Sequence, residues 1–430
     1  MLSDNKTQHI GVVGAGIIGI CCALKLQRAG FTVTLYDENG LAQGCSKGNA
    51  GHFATEQVFP LAHSSLLKKL PMMLLNPLGP LRIDWRYVIK ALPWFWRFVN
   101  NMASSTYKAN THALQALNHR AITAYETLLD EFKLNHLITK KGSLLTFETT
   151  PVTQIQAMFE KYLSHGIAVE LLNAEQLQRL EPNLAKTITH ALFFKEVAHS
   201  VDPHLFCLSL AEQFRALGGQ FCQQKVIEVS PVYSGYEINC PDQKFQADKV
   251  IIAAGAWSKL LLQPLGYNVP LDTERGYHCM LSSNYGLSRP VASAERSFIM
   301  TPMSQGLRIA GTVEFAGTER KMNNKRALAL LPSAKAMLNH SAVTLQPSSV
   351  WMGCRPSLPD SLPVIGEAPN HTNLFFAFGH QHLGLTQGAI TGELITSLCL
   401  QQVPSVDIKP YCISRFSSQA ACSSHAPLAQ

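Results

Sequence analysis

Charge is scarce in this chain: Asp, Glu, Lys and Arg make up 15% of its 430 residues, where soluble proteins usually carry about a quarter. With hydrophobic residues at 46%, that excludes disorder and leaves an unusually apolar surface. Long Lys/Arg runs are absent and the net charge is only +7, so nucleic acid is not an expected partner. The 11 cysteines include no C-x-x-C pair, and Cys21 and Cys22 stand side by side in an apolar run. That suits neither a disulfide framework nor a zinc site, and the thiols read as reduced and mostly buried. The first nine residues include Asp4 and lack a basic leader, so no secretory signal is expected and the location reads as cytoplasmic. The uncharged stretch Ile10 to Leu24 falls short of the ~20 residues that span a bilayer, and glycines interrupt it. No internal repeat is visible, and the length suits two or three domains.

What is present begins with those glycines. His9 to Val13 reads as a short buried strand, Gly14-Ala-Gly-Ile-Ile-Gly19 follows at once, and Ile20 to Ala29 has helical apolar spacing ended by Gly30. In a dinucleotide fold Gly14 permits the tight turn, Gly16 lets a pyrophosphate approach the backbone, and Gly19 lets the helix pack on the strand. Ala15, Ile17 and Ile18 complete the candidate cradle. A second strand, Thr32 to Tyr36, ends at Asp37, 23 positions after Gly14, with Glu38 beside it. That carboxylate is placed to accept ribose hydroxyls, and Asp rather than Arg there disfavours a 2′-phosphate. The turn alone does not choose between NAD and FAD.

Downstream, the small-residue loop Gly44 to His52, with Ser46, Asn49, Ala50 and Gly51, offers backbone N–H groups to an anion or a flat surface to a planar ring. Leu66 to Val99 holds Trp85, Trp94 and Trp96 with Lys68, Lys69, Arg82, Arg86, Lys90 and Arg97 against Asp84 alone. Two readings stand open for it: an interfacial membrane contact, or helices covering a substrate pocket. Asn110 to Phe132 reads as an amphipathic helix, and Gly142 to Phe147 and Ala168 to Leu172 as strands. Val201-Asp-Pro203 opens a helix to Leu217, and Phe221 to Val229 resumes as a strand that would bring Val226 to the cofactor. Lys249 to Ser258 is an apolar strand running into a turn with Ala254, Gly255 and Trp257, as though the dinucleotide domain resumed after an insertion. Pro270 to Leu281 and Ser297 to Val313 alternate like a second, antiparallel sheet, and the residues from Ser414 read as a frayed tail.

Taken together, Gly14 to Gly19 with Asp37, Asn49-Ala-Gly51, Arg275-Gly-Tyr277, and Gly353-Cys-Arg-Pro356 with Pro359-Asp360 and Gly379-His380 carry a resemblance. Over essentially its whole length the chain resembles the FAD-dependent amine and amino-acid oxidoreductases that include D-amino-acid oxidase, glycine oxidase and the D-amino-acid dehydrogenases. The Asn-Ala-Gly and Arg-Gly-Tyr pieces are most similar to the dehydrogenases. The resemblance implies FAD as cofactor and an α/β fold. Its parts would be a discontinuous Rossmann-like FAD-binding domain (1–65, 196–262 and 348–412), a second α+β substrate domain with an antiparallel sheet (66–195 and 263–347), and a flexible tail (413–430).

It also implies oxidation of a D-amino acid or cyclic D-imino acid, with hydride leaving Cα for flavin N5 and the imine hydrolysing in water. A glycine-oxidase-like or opine-oxidising flavoenzyme, and a flavin-binding subunit of a larger complex, remain as alternatives. The electron acceptor is open among a quinone, another carrier and oxygen. Arg355 occupies the position where the family places the arginine that holds the substrate carboxylate, a task suited to a planar fork. Tyr277 would hydrogen-bond substrate or wall the pocket. His52 stands where the dehydrogenases more often carry Gln, which leaves its role open. The departure of His52 to Leu61 from their usual loop points toward a cyclic imino acid such as proline or hydroxyproline, or an opine. Gly379, His380, Leu383 and Gly384 are expected against the flavin. His380 and His382 lack a third ligand of suitable spacing, so no metal is expected.

Overall fold

The computed structural model describes residues 8–64, 66, 76–339 and 345–417. Its centre is a six-stranded sheet in the order Gln220–Cys222, Thr32–Tyr36, His9–Val13, Lys249–Ile252, His371–Phe378, Val364–Ala368. The first five strands run parallel and the last is antiparallel. Parallel neighbours need crossover connections, and strands buried on both faces read as continuous apolar runs, as Lys249–Ile252 and Phe375 to Phe378 do. The helices Ile17–Arg28 and Gly384–Cys399 pack together over one face, where Cys21 lies against the small Gly388 and Gly392. A Cβ at Gly392 would come within 2.6 Å of the Cys21 carbonyl oxygen, so glycine is what lets these helices approach.

A nine-stranded mixed sheet forms the second layer of the molecule. At its end Asp272–Leu281 pairs antiparallel with Pro347–Ser357 on one side and Gly306–Phe315 on the other. This register sets Glu274 opposite Arg355 and Gly276 opposite Gly353, so two motifs some eighty residues apart in sequence become neighbours on adjacent strands. A bulge between Gly276 and Tyr277 re-aims the chain there, as bulges beside functional sites commonly do. A small sheet of His52–Phe53, Ala198–Ser200 and Ile138–Thr139 places His52 across from His199.

Several expectations are corrected. The strand expected over Phe221 to Val229 breaks in two: Gln220–Cys222 ends the parallel sheet, and Glu228–Val232 opens a separate three-stranded antiparallel sheet. Gln224 to Ile227, between them, line a cavity instead, because at the carboxyl end of a parallel strand the chain turns away from the sheet. The helix expected from Asn110 starts at Ser104. The expected flexible tail does not begin at 413: Ile413–Phe416 is a short 3-10 turn with Ile413 buried, and Arg415 donates to Asp360 at 2.7 Å and to the Leu362 carbonyl at 2.8 Å. Among the described residues nine cysteines are free thiols and Cys412 is disulfide-bonded, against the reading of all as reduced. The expectations about the first seven residues, about Lys68 and Lys69, and about the tail from 418 onward lie outside the described residues.

Candidate active site

The glycine turn has the geometry its sequence requires. Gly14 has φ +106°, and a Cβ there would sit 2.5 Å from the Ala253 carbonyl oxygen. A Cβ on Gly19 would sit 1.8 Å from the Gly14 oxygen, which is why helix and strand can touch only at glycine. At Gly16 a Cβ would meet only Ser46 Oγ, at 3.3 Å, so the space above that residue is open to a ligand. The turn is held from two sides. Ala15 N–H donates to Asp37 Oδ2 at 2.9 Å, and Ile17 N–H to Ser46 Oγ at 2.8 Å. Gly16, the residue capping the helix Ile17–Arg28, has no side chain to satisfy the first N–H groups, which is the arrangement that binds anions.

Over this turn lies a cavity of about 400 Å³. Gly14, Gly16, Ile17 and Ile18 line it from the turn, and Asp37 and Glu38 from the end of the second strand. Ser46 and Asn49 come from the loop, Val226 from the edge crossing, and Ala254, Gly255 and Trp257 from the turn after Ile252. Gly379, His380 and Gly384 close its far end. Burial raises the Asp37 carboxyl above its ordinary range, and the Ala15 and Asn39 N–H groups oppose this. Ala15, Gly19, Gly51 and Leu383 do not line the cavity; they shape what does. Gly51, at φ +76°, accepts the Ser200 N–H, and Leu383 is buried where the helix Gly384–Cys399 begins.

A second cavity of about 380 Å³ shares Cys45, Asn49 and Gln381 with the first, and Ala50 belongs to it. Arg355, Tyr277 and His52 all line this one. The Arg355 guanidinium lies over Gly276, whose Cβ would fall 2.4 Å from Arg355 Cζ. Glycine on the neighbouring strand is what makes room for it. Arg355 has no hydrogen bond or ion pair with any described residue, although five N–H donors in a half-buried place ordinarily find partners. Tyr277 differs, since its hydroxyl donates to Glu314, which also faces Arg275 at 3.3 Å. Its hydrogen is therefore spent inside the sheet. His52 is buried beside Glu56, and burial, with His199 and His382 nearby, lowers its pKa to about 3. His380 reaches Thr391 Oγ1 at 3.0 Å and His382 reaches Gln57 Oε1 at 2.7 Å, so these two rings are anchored apart.

Sequence reasoning passed over several residues that build this site. Arg308 donates to the Asn49 carbonyl at 2.5 Å and His278 to the Gly48 carbonyl at 3.0 Å, which pins the loop between the cavities. Trp351 stacks on His278 at 5.1 Å, and a Cβ on Gly48 or Gly353 would strike its ring. Glu56 lines the second cavity with an unpartnered carboxyl oxygen. The departure of the His52 to Leu61 stretch from its expected pattern was the one signal that could have flagged Glu56.

A parallel sheet with a glycine turn, an acidic residue ending its second strand and an adjoining cavity with an unpaired guanidinium defines a dinucleotide-dependent oxidoreductase. The chain belongs to the FAD-dependent oxidoreductase family, whose model, described as DAO, FAD dependent oxidoreductase, matches residues 9–398. FAD is accordingly its cofactor, and the open face over Gly16, the helix N-terminus begun by a glycine without a capping side chain and the Asp37 carboxylate suit a dinucleotide. The chain is 32% identical over 423 residues to a D-amino-acid oxidase of Bradyrhizobium diazoefficiens, covering 95% of this chain and 99% of that protein. It is 26% identical over 400 residues to a D-amino acid dehydrogenase of Vibrio cholerae, covering 90% and 94%. Among solved structures, glycine oxidase from Geobacillus kaustophilus superposes with a TM-score of 0.76 at 19% identity, covering 95% of this chain and 99% of that one. At that identity the likeness is one of fold.

Proposed function

We propose that the protein oxidises the carbon–nitrogen bond of a free D-amino acid or cyclic D-imino acid. The observation that carries this is Arg355: a guanidinium lining a cavity next to the dinucleotide site, with glycine behind it and no hydrogen bond or ion pair to any described residue. A substrate carboxylate matches its fork with two hydrogen bonds. FAD, when bound, supplies the acceptor for the hydride that leaves Cα. The chain's own residues then orient and desolvate the substrate. Arg355 fixes the carboxylate end, and Leu144, Leu145, Phe298 and Ile299 wall the cavity against water. His52 and His382 stay neutral because burial lowers both, so neither adds a positive charge that would repel a cationic substrate amine. The imine product hydrolyses in water once it leaves. The D configuration follows the two relatives named above. Anaerobic mixing of the holoenzyme with paired D and L enantiomers tests the reading: bleaching of the flavin by D members is expected, and bleaching only by L members, or by none, contradicts it.

The exposed helix Val88–Asn100 favours one further element, contact with a lipid surface. It buries Ala91, Trp94 and Phe98 on one side, yet Ile89 and Trp96 are 81% and 69% exposed together with Leu92 and Val99, and Trp85, just before the helix, is 71% exposed. Arg86, Lys90 and Arg97 flank that stripe. An apolar stripe edged by basic residues lies in an anionic interface without crossing it, and no helix among the described residues is long and apolar enough to cross. A membrane quinone is then the favoured electron acceptor.

A further inference from the structure

Arg355 accounts for one part of the second cavity, and a different pair of groups remains unaccounted for. Glu56 and His52 both line the cavity, with side chains only 5% and 9% exposed. Glu56 Oε1 lies 3.5 Å from His52 Nε2, beyond a good hydrogen bond between neutral groups. His52 Nε2 and Glu56 Oε2 are both buried without a hydrogen-bond partner. Folded proteins rarely leave two such atoms unpaired side by side, so a missing polar group belongs between them. Gln57 touches the Glu56 carboxyl through its side chain, but its side-chain oxygen accepts from His382 at 2.7 Å and its carbonyl from Asn118 at 3.1 Å, and Glu56 Oε2 and His52 Nε2 are still left without a partner.

The charge state narrows what that group is. Burial raises Glu56 to about 8 and lowers His52 to about 3, so near neutral pH the pair carries no charge. A cationic side chain would have to ionise Glu56 inside the cavity, at a desolvation cost for both charges. A hydroxyl needs no such change. It donates and accepts at once, so it satisfies a protonated carboxyl together with either tautomer of His52. Tyr162, packed edge-on to Phe194 and to Phe59, closes the cavity on that side.

We propose that Glu56 and His52 form a specificity subsite for a hydroxyl on the substrate, so that the enzyme prefers a hydroxylated amino or imino acid over its unhydroxylated parent. This rests on the amino-acid reading above.

The test is anaerobic flavin reduction by the holoenzyme with matched pairs: cis-4-hydroxy-D-proline against D-proline, D-threonine against D-2-aminobutyrate, and D-lysine as the cationic arm. The wild type is expected to favour at least one hydroxylated member about 10- to 100-fold in kcat/KM. Glu56→Leu should lower that ratio about tenfold or more, and Glu56→Gln, which keeps a donor and an acceptor, should hold it within a few-fold. FAD content reports whether each variant is folded. If Glu56→Leu loses FAD, Glu56→Ala takes its place, and the wild-type ratio stands as a test in itself. A wild-type ratio near one, a ratio that Glu56→Leu leaves unchanged because only water fills the gap, or a preference for D-lysine would each overturn the proposal. A protein whose flavin is reduced by no amino or imino acid overturns instead the function on which the proposal rests.

Discussion

Truncation of Arg355 to Ala removes a side chain with no hydrogen bond or ion pair to any described residue, and Glu274 opposite it, which feels its charge, bonds Ser357 instead, so most of the cost should fall on substrate rather than on folding. Loss of one partner from a desolvated charge pair costs roughly 2 to 5 kcal/mol, which is about 30-fold to several thousand-fold in kcat/KM at 1.4 kcal/mol per tenfold. FAD content and melting temperature should change little. Arg355→Lys should recover part of the loss, since an ammonium keeps the charge and loses the fork. Gly276→Ala offers an independent route to the same site: its Cβ would fall 2.4 Å from Arg355 Cζ, so it should displace the guanidinium and lower kcat/KM without removing any charge. The assay is stopped-flow flavin reduction with a D-amino acid and with its decarboxylated amine. Only the acid should feel the mutation, and the amine should be a poor substrate throughout. Equal losses on both substrates would refute the carboxylate role, because a structural arginine affects all substrates alike.

Gly16→Val should purify without FAD but folded, since its side chain enters the ligand's space and meets only Ser46 within the protein; full FAD occupancy would contradict the cofactor placement. Asp37→Ala should weaken FAD and also loosen the turn, because the carboxylate holds the Ala15 N–H as well as facing the cavity; unchanged FAD affinity would exclude that double role. Replacing Ile89 and Trp96 together with Glu should move the protein from the membrane to the soluble fraction, and a wild type already soluble at low salt would end the lipid reading. Burial lowers His52, His278 and His380 to about 3 and His199 and His382 to about 4, so these rings take up protons mainly on unfolding. Stability should therefore fall as pH drops from about 6.5 toward 4, with Glu56, raised to about 8, working in the opposite direction; a melting temperature flat across that interval would contradict the buried, neutral state.

What the sequence made legible was local. Strand, glycine turn, helix and Asp37 lie within thirty residues, and each carries a steric or hydrogen-bonding demand readable from one residue type. The meeting of Arg275-Gly-Tyr277 with Gly353-Cys-Arg-Pro356 was not legible as a contact, because register between distant strands depends on the whole sheet. Only that register shows why Gly276 must be glycine. It shows too that Tyr277 spends its hydroxyl on Glu314. Glu56 escaped notice for another reason: a lone Glu in a loop looks solvated, and only the folded structure shows it buried, at 5% exposure. The break after Cys222 was hidden because Val226 and Ile227 continue an apolar pattern that in the structure serves a cavity wall.

The central claim is that the guanidinium of Arg355 receives a carboxylate in a cavity contiguous with the FAD site. It is tested most directly by a crystal structure of the FAD-loaded protein with a non-oxidisable carboxylate such as pyrrole-2-carboxylate. The account predicts FAD extending from Asp37 past Gly16 toward Asn49, with the ligand's carboxylate paired to Arg355 in two hydrogen bonds. A carboxylate bound elsewhere, or an Arg355 turned onto a protein carbonyl with the ligand absent from the second cavity, would contradict it.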